Sequence, residues 1–256
     1  MSESTFDPRL AAIGADDLRE RVILITGASQ GIGRAVALSC AQYGATVLLL
    51  GRNSRQLNEV HARISAEQGA DRAAIVEFDL ENALARDYDA LFAAIEGRYQ
   101  RLDGLLHNAG LLGQLAPIEH YDVPTWCRVL QVNLTAAFVL TQILLPLLKR
   151  SADGSIVFTA SGVGRVGRAY WGAYAVAKFA IEGLNEVLSA ELSGITPIRV
   201  NSLNPGATRT KMRRQAYPAE DPESLPAPED ITHAYLALLG PASRGITGGR
   251  FNAQRT

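Results

Sequence analysis

Arg21-Val-Ile-Leu-Ile-Thr26, followed directly by Gly27-Ala-Ser-Gln-Gly31-Ile-Gly33, is the stretch of sequence that decides the fold. The first six residues form a short apolar run, which is typical of a strand buried in a parallel sheet. The glycines allow a tight turn, and residues 34–43 then have a helical pattern. This order favours a pyrophosphate-binding turn, because the turn's amides and the positive end of the helix dipole both face an anion. A glycine-rich turn that only connects two elements is the alternative.

The rest of the chain alternates apolar runs with helical patterns. Further strands are predicted at 45–50, 73–78, 102–107, 155–159 and 198–203, with a last short strand or turn at 245–252. Helices are predicted at 34–43, 53–68, 84–99, 122–150 and 228–239, with one more around Tyr174 and Lys178. This alternation predicts a single Rossmann-like, doubly wound α/β domain over residues 21–256, in which helices flank a mostly parallel seven-stranded sheet. Residues 1–20 are predicted to be an N-terminal extension.

Composition narrows the classes of function. The chain has 256 residues, a net charge of -1 and 47% hydrophobic residues, which gives no electrostatic reason to expect nucleic acid or an anionic membrane as partner. Its two cysteines cannot form a disulfide framework and have no zinc-type spacing, so a reducing compartment and no metal site are predicted. No secretory signal or apolar run of about 18 residues is recognised, and we expect a cytoplasmic protein.

Tyr174-Ala-Val-Ala-Lys178 carries the strongest indication of chemistry. Positions four apart share one face of a helix, so the Lys178 ammonium is expected near the Tyr174 phenol. A phenol loses its proton near pH ~10, and a neighbouring positive charge lowers that pKa towards the range useful for acid–base catalysis. Ser161 follows a predicted strand and is expected to hydrogen-bond the oxygen on which the tyrosine acts. By itself, the Tyr-x-x-x-Lys pattern also fits an ordinary helix face.

The end of the second predicted strand, Gly51-Arg52-Asn53, bears on the choice of cofactor. In many dinucleotide folds an acidic residue here binds the ribose hydroxyls, whereas an arginine accommodates a 2′-phosphate. Arg52 therefore favours NADP(H) over NAD(H), unless it is simply a solvated loop charge. Asp79, where the third strand ends, has two interpretations, contact with the adenine amino group or the N-cap of the next helix.

Two asparagines stand at informative places. Asn108-Ala-Gly110 follows the fourth predicted strand, at the edge where open parallel sheets bind ligands. Asn133 lies inside a predicted helix, where a buried amide must find partners. A core asparagine with satisfied hydrogen bonds is the default interpretation of Asn133.

Taken together, these motifs resemble the short-chain dehydrogenase/reductase family, over nearly the whole chain from Arg21 to Asn252. The resemblance is carried, in chain order, by the glycine motif at 26–33, Asp79, Asn108-Ala-Gly110, Asn133, Ser161, Tyr174, Lys178 and Pro205-Gly206. Each motif alone is weakly specific, whereas their shared order and spacing are highly specific. Longer runs such as His107-Asn-Ala-Gly-Leu-Leu-Gly113 are most similar to the enterobacterial YciK-type oxidoreductases.

The resemblance implies a role for each residue. Tyr174 would be the acid–base residue, and Lys178 would lower its pKa and hold the nicotinamide ribose. Ser161 would orient the substrate oxygen, and Asn133 would hold a water of a proton relay. The residues expected around the cofactor are Gly27, Ser29, Gln30, Gly31, Ile32, Gly33, Arg52, Asn53, Asp79, Leu80, Asn108, Ala109, Gly110, Tyr174, Lys178, Pro205, Gly206 and Thr208.

Three features depart from the family's pattern. His107 replaces the asparagine common before Asn-Ala-Gly, and we expect it to be a neutral residue at a strand end. The run Thr247-Gly-Gly-Arg-Phe-Asn252 lacks the usual Asp-Gly-Gly ending, so contacts near the C-terminus stay open. The extension at 1–20 exceeds the family's usual lead, which suggests packing on a neighbour.

Three loops, at 111–117, 163–171 and 207–226, are predicted to shape the substrate pocket. A hydrophobic or aromatic substrate is suggested by the apolar residues Leu112, Val163, Tyr170 and Trp171. The segment 208–229 is interpreted either as a lid or as a plain surface connection. By analogy with the family, we expect a homodimer or homotetramer, paired through the helices that carry Asn133 and Tyr174.

The sequence thus predicts an NADP(H)-dependent oxidoreductase that transfers a hydride between nicotinamide and a carbonyl or secondary alcohol. An NAD-linked alcohol dehydrogenase is one alternative. A catalytically idle NADP-binding sensor or scaffold is another, and the complete set of Asn133, Ser161, Tyr174 and Lys178 argues against it. A pure binder has no need for a tuned phenol.

Overall fold

A computed structural model describes residues 6–255 of the chain. The strands in this range are β1 (Val22–Thr26), β2 (Thr46–Gly51), β3 (Ala73–Glu77), β4 (Gly104–His107), β5 (Ser155–Thr159), β6 (Arg199–Asn204) and β7 (Arg250–Asn252). The α-helices are α1 (Gly31–Gln42), α2 (Ser54–Gln68), α3 (Ala85–Tyr99), α4 (Val123–Leu130), α5 (Ala136–Leu148), α6 (Gly172–Leu192), α7 (Lys211–Ala216) and α8 (Thr232–Leu239). The predicted Rossmann-like α/β fold is confirmed.

The strands form one sheet in the order β3-β2-β1-β4-β5-β6-β7, and every pairing in the described range is parallel. The chain therefore winds outwards from β1 to β3 on one side and from β4 to β7 on the other. The point where the direction reverses lies between β1 and β4. In such sheets the carboxyl ends of the strands at this point splay apart and form a ligand-binding crevice.

Both faces of the central strands are buried, which explains why β1, β2 and β5 consist mostly of apolar residues. Successive side chains of a strand point to opposite faces. In β1, Val22 and Leu24 join a core with α3, α5 and α6, whereas Ile23 and Ile25 join a second core with α1, α2 and α8. Neither face of β1 is left for polar residues, in contrast to a half-exposed strand.

The predicted helix at 122–150 is interrupted. Gln131–Thr135 forms a π-helical turn between α4 and α5, in which the Ala136 amide donates to the carbonyl of Gln131, five residues earlier. The sequence pattern predicted one continuous helix and did not show this turn. π-turns of this kind are frequent at functional sites, and this one contains Asn133.

Contrary to the expectation from the sequence, one helical segment is long and apolar enough to cross a membrane by length and composition, Val123–Leu148. In the fold, this segment packs on the sheet, with Leu140, Leu144 and Leu147 fully buried in the core beside α3. The core helix of an α/β domain satisfies the same criteria, so the segment is weak evidence for a membrane.

The described part of the N-terminal extension packs on its own domain. Phe6 lies edge-on against the ring of Phe251 on β7, with 5.6 Å between the ring centroids. Arg9 donates to the carbonyl of Gln254 at 3.2 Å, and Leu18 is fully buried beside α8. The suggestion that the extension packs on a neighbour is therefore not needed for residues 6–20, while residues 1–5 lie outside the described range.

Candidate active site

A cavity of about 270 Å³ opens at the carboxyl ends of the central strands. Many of the residues predicted from the sequence meet on its wall. They are Gly27, Ser29, Gln30, Gly31, Ile32, Asn108, Ala109, Gly110, Ser161, Tyr174, Lys178, Pro205, Gly206 and Thr208. The glycine turn and the Tyr-x-x-x-Lys segment are more than 140 residues apart in the chain, and the sheet topology brings them to one site.

Thr26, at the end of β1, ties the glycine turn to the loop after β4. Its Oγ1 accepts hydrogen bonds from the amides of Asn108 and Ala109, both at 2.9 Å, and the Asn108 side chain donates to the Thr26 carbonyl at 3.2 Å. These bonds join the two strand ends that border the crevice. Asn108 thus holds the backbone of the glycine turn in place and also lines the cavity.

The glycines of the turn have different reasons to be glycine. Gly27 and Gly31 have φ angles of +67° and +55°, a region that favours glycine. Gly33 lies inside α1 and does not line the cavity; a Cβ there would lie 2.3 Å from the Gly27 carbonyl oxygen. It therefore allows α1 to pack closely on the turn. Gln30, the N-cap of α1, makes no side-chain hydrogen bond to the first amides of the helix.

Ser161, Tyr174 and Lys178 form the polar centre of the cavity. The Tyr174 hydroxyl is hydrogen-bonded to Ser161, and the tyrosine side chain is buried. Lys178 is also buried, and its Nζ donates to the Thr159 carbonyl at 2.6 Å. The same Nζ lies 5.7 Å from the centroid of the Tyr174 ring. The fifth strand and α6 thus place a serine, a phenol and an amine within one small volume.

The pKa of Tyr174 differs from the expectation. Burial raises the pKa of its phenol above the ordinary value, and the effect that lowers it comes from the hydrogen bond with Ser161. Lys178 was expected to lower it, but its ammonium is directed to the Thr159 carbonyl. Burial also lowers the pKa of Lys178 to about 8, against an opposing effect of Glu182. At neutral pH the phenol is protonated and the amine is charged.

Asn133 is buried and does not line the cavity. Its Oδ1 accepts from the Leu111 amide at 2.7 Å, and its Nδ2 donates to the Leu111 carbonyl at 2.9 Å. The asparagine thereby holds the segment after Gly110. A Cβ atom added at Gly110 would lie 3.6 Å from the same Oδ1. In this structure, Asn133 is a core asparagine with satisfied hydrogen bonds that positions a wall of the cavity.

The residues predicted for the adenosine end lie outside this cavity. Arg52 is exposed and pairs with Glu81 at 3.0 Å, and Asn53 caps α2 by accepting from the Gln56 amide at 3.0 Å. Leu80 packs in the core.

Asp79 caps neither α3 nor any other helix in the described range. Its carboxylate accepts from the Glu81 amide at 3.0 Å and from the Asn82 side chain at 2.8 Å. The predicted N-cap role is wrong, because α3 begins only at Ala85, beyond the turn that Asp79 holds.

Comparison with known proteins decides the family. The profile of a family described as short chain dehydrogenase matches residues 21–221. The chain belongs to the short-chain dehydrogenase family. A similar member is the uncharacterized oxidoreductase YciK of Escherichia coli K12, which is 50% identical over 239 residues, 93% of this chain and 94% of its own.

Two solved structures of short-chain dehydrogenases show the same fold. One from Pseudomonas syringae is 52% identical, with a TM-score of 0.93 and coverage of 97% of this chain and 99% of its own. Another, from Escherichia coli CFT073 in complex with NADPH, is 50% identical, with a TM-score of 0.91 and coverage of 95% of this chain and 100% of its own.

In this short-chain dehydrogenase, His107 is a buried neutral residue at the end of β4. Its ring stacks on Phe158, with 4.9 Å between the centroids. Its Nε2 lies 2.9 Å from the Thr141 hydroxyl, which donates its own proton to the Ala137 carbonyl, so Nε2–H is the donor. Burial, followed by the charge of Lys178, lowers the pKa of His107 to about 3.

The segment 208–229, which was interpreted from the sequence either as a lid or as a plain surface connection, contributes several residues to the cavity. They are Thr208, Thr210, Lys211, Met212, Arg213 and Ala216. Thr210 caps α7 by accepting from the Arg213 amide at 3.1 Å, and Tyr217 follows the helix. The Tyr217 ring lies 5.9 Å from that of Trp171, and its hydroxyl accepts from Arg168 at 2.6 Å. The N-cap pattern could have located α7, whereas the contact with Trp171 requires the fold.

Proposed function

We propose that this chain is an NADP(H)-dependent oxidoreductase that reduces the carbonyl group of a largely apolar small molecule. The observation that carries the proposal is that Ser161, Tyr174 and Lys178 share one cavity with the glycine turn. A reductase must deliver a proton and a hydride to the same carbonyl group. It therefore needs a proton donor such as a phenol close to the turn that binds the nucleotide.

The cavity suits the pyrophosphate of a dinucleotide. Its glycine turn brings backbone amides to the wall, and the first amides of α1 have no side-chain cap from Gln30. Both features suit a pyrophosphate. Bound NADPH would supply the hydride. The preference for NADP(H) is supported by Arg52 and by related proteins from Shigella flexneri and Escherichia coli that were solved with NADP and NADPH.

The residues of the chain supply the proton and its placement. The raised pKa keeps the Tyr174 phenol protonated at neutral pH, so it can donate to a carbonyl oxygen. Ser161, hydrogen-bonded to the same phenol, would bind that oxygen and fix its position. Lys178 places a positive charge beside the phenolate that remains. Because reduction of a carbonyl needs a proton donor, the protonated phenol favours the reductive direction of the reaction.

Apolar groups close the site around this centre. Leu112, Trp171, Met212 and Ala216 lie on the cavity wall. The Trp171 ring lies 5.8 Å from that of Tyr174 and also contacts the α7 segment through Tyr217. This wall fits a hydrophobic or aromatic substrate body, and α7 with Tyr217 would serve as a lid that excludes water.

The proposal includes a homodimer or homotetramer in the cytoplasm. Exposed apolar side chains lie on α5 and α6, the helices next to the π-turn and the catalytic tyrosine. They include Phe138 at 47%, Val176 at 45% and Phe179 at 45% exposure. Burying them against a second copy would remove apolar surface from water. Light scattering of the purified protein tests this part, and a monomer at micromolar concentration would contradict it.

A panel of aldehydes and ketones, followed by NADPH absorbance, tests the function. We expect oxidation of NADPH with at least one hydrophobic carbonyl compound. Tyr174→Phe should reduce turnover by about 10³-fold or more, since it removes the proton donor, while NADPH still binds. Tyr99→Phe, a loss of the same hydroxyl on α3 outside the cavity, is the matched control and should keep full turnover. Retained turnover in Tyr174→Phe would refute the mechanism.

A further inference from the structure

Glu182 is a buried carboxylate on α6 to which the mechanism above gives no role. Its side chain is only 3% exposed. It follows Lys178 by four residues, as Lys178 follows Tyr174, so the three groups occupy one buried face of α6. A charge this deeply buried is costly unless it is paired, so its partners indicate what it does.

Three side chains from other elements surround Glu182. Arg165 donates through Nε at 2.8 Å, the Ser202 hydroxyl on β6 donates to the other carboxylate oxygen, and Arg250 on β7 lies 3.5 Å away. Both oxygens are therefore occupied. The carboxylate is held in one position by the loop after Ser161, by β6 and by β7.

Arg165 extends this network towards the cavity. It donates to the Phe251 carbonyl at 2.8 Å and to the Asn252 side-chain oxygen at 2.9 Å. The same Asn252 oxygen accepts from Asn204 at 3.1 Å, and Asn204 lines the cavity. The loop that carries Ser161 and the turn before Pro205 are thus joined through β7.

The groups that face Lys178 come from four elements. The Thr159 carbonyl on β5 accepts from its Nζ, and Thr159 also contacts the Tyr235 hydroxyl on α8 at 3.3 Å. His107 on β4 is neutral, and Tyr174 is a protonated phenol. Against these uncharged groups, the Glu182 carboxylate supplies the negative charge that favours the ammonium.

We propose that Glu182 is a positioning residue that keeps Lys178 charged inside the protein, and that Arg165 and β7 hold Glu182 in place for this purpose. The charge of Lys178 does not depend on the proposed function. The consequence for turnover does, because it requires the reductase chemistry of Tyr174.

The experiment exploits the scarcity of lysine, since the chain contains only Lys149, Lys178 and Lys211. Lysine-selective ¹³C labelling of the intact protein gives three side-chain signals, which Lys149→Arg and Lys211→Arg assign by elimination. The signal of Lys178 reports its pKa directly, without any substrate. In the unsubstituted chain we expect a titration at about 8.

Glu182→Gln should lower the pKa of Lys178 by roughly 0.5 to 1, because it removes the negative charge and keeps the shape of the side chain. Arg165→Gln should raise it, because Glu182 then loses its countercharge. Glu191→Gln, the same substitution at an exposed site near the end of α6, should leave it unchanged. A residue that only packs would admit water when changed and would raise the pKa in both variants. An unchanged or raised pKa in folded Glu182→Gln overturns the proposal.

The activity arm connects this charge to turnover. In Glu182→Gln, the alkaline fall of kcat should move to lower pH by the same interval, which is roughly a 2- to 5-fold loss at pH 8. Glu191→Gln should keep the original profile. If the unsubstituted chain reduces no carbonyl compound, the proposed function fails while the result for Lys178 stands. If the Lys178 pKa falls and the profile of an active Glu182→Gln does not move, the link to catalysis is refuted.

Discussion

The two ends of the site are built in opposite ways. At the proposed catalytic end, Tyr174 and Lys178 are buried and share a cavity with residues from distant parts of the chain. At the proposed adenosine end, Arg52 and Asn53 are exposed and occupied with local partners, a neighbouring carboxylate and the start of α2. The end that contains Tyr174 and Lys178 lies in the protein interior, whereas the end that contains Arg52 and Asn53 lies on the surface.

This difference in burial determines where electrostatic effects on pKa are large. In the interior, burial lowers the pKa of Lys178 to about 8 and that of His107 to about 3. At the surface, water screens the ion pair of Arg52 and Glu81, and such exposed pairs contribute little to the free energy of folding. A large pKa change is therefore possible only at the buried end, which is where we propose the proton transfer, whereas we propose that the exposed end distinguishes between the two cofactors.

The largest expected effect is the acid sensitivity caused by His107. Its pKa falls from 6.5 in the unfolded chain to about 3 in the fold, so its contribution to stability is present above pH 6.5 and is lost as the pH falls towards 3. His107→Asn should remove this loss, up to about 5 kcal/mol at pH 3. Unfolding between pH 7 and pH 4 measures the part of the loss that appears by pH 4, about 3 kcal/mol.

His120→Asn is the matched control, since His120 has a side-chain exposure of 73%. Its unfolding temperature should follow the pH as in the unsubstituted chain. Equal acid sensitivity of the His107→Asn variant would mean that this histidine is not buried in its neutral form.

A smaller effect is expected at the exposed end, in the choice of cofactor. Arg52→Ala should weaken NADPH binding by roughly 5- to 10-fold and leave NADH binding unchanged, because only NADPH carries a 2′-phosphate. Glu81→Gln should strengthen NADPH binding, since it frees Arg52 from its pair. Dissociation constants from fluorescence titration with both cofactors decide the matter.

Arg55→Ala is the control for Arg52, because Arg55 is exposed on the next helix and pairs only at 4.0 Å with Glu59. It should not discriminate between the cofactors. If Arg52→Ala weakens NADPH and NADH alike, Arg52 has no part in selecting the phosphate, and the NAD-linked dehydrogenase becomes the better interpretation.

The smallest effect concerns Asn53. Its side chain caps α2, so Asn53→Ala should cost about 1 kcal/mol in the free energy of unfolding and should not change the affinity for NADPH. Asn58→Ala, in the exposed interior of the same helix, should be neutral or slightly stabilising, since alanine is the better helix former. Denaturant unfolding measures both. A weakened affinity for NADPH without loss of stability would restore Asn53 to the cofactor site.

Local signals carried the prediction of the fold and of the residue types at the site. Runs rich in apolar residues located β1 to β6, because both faces of a parallel sheet are buried. Polar residues also occur in β6, where Arg199, Asn201 and Ser202 are buried. Tertiary detail escaped the pattern: it did not show the π-turn around Asn133, and Asp79 could have capped a helix that in fact starts six residues later. The position of an element's end depends on packing.

The sequence by itself determined that a glycine turn, a serine and a Tyr-x-x-x-Lys helix stand at strand ends, since strand and helix periods are properties of neighbouring residues. Only the tertiary structure decided that the phenol is made less acidic by burial, that the lysine is made more acidic, and that Glu182 lies beside it. A pKa depends on every charge and on the access of water around a group, and these come from segments far away in the chain.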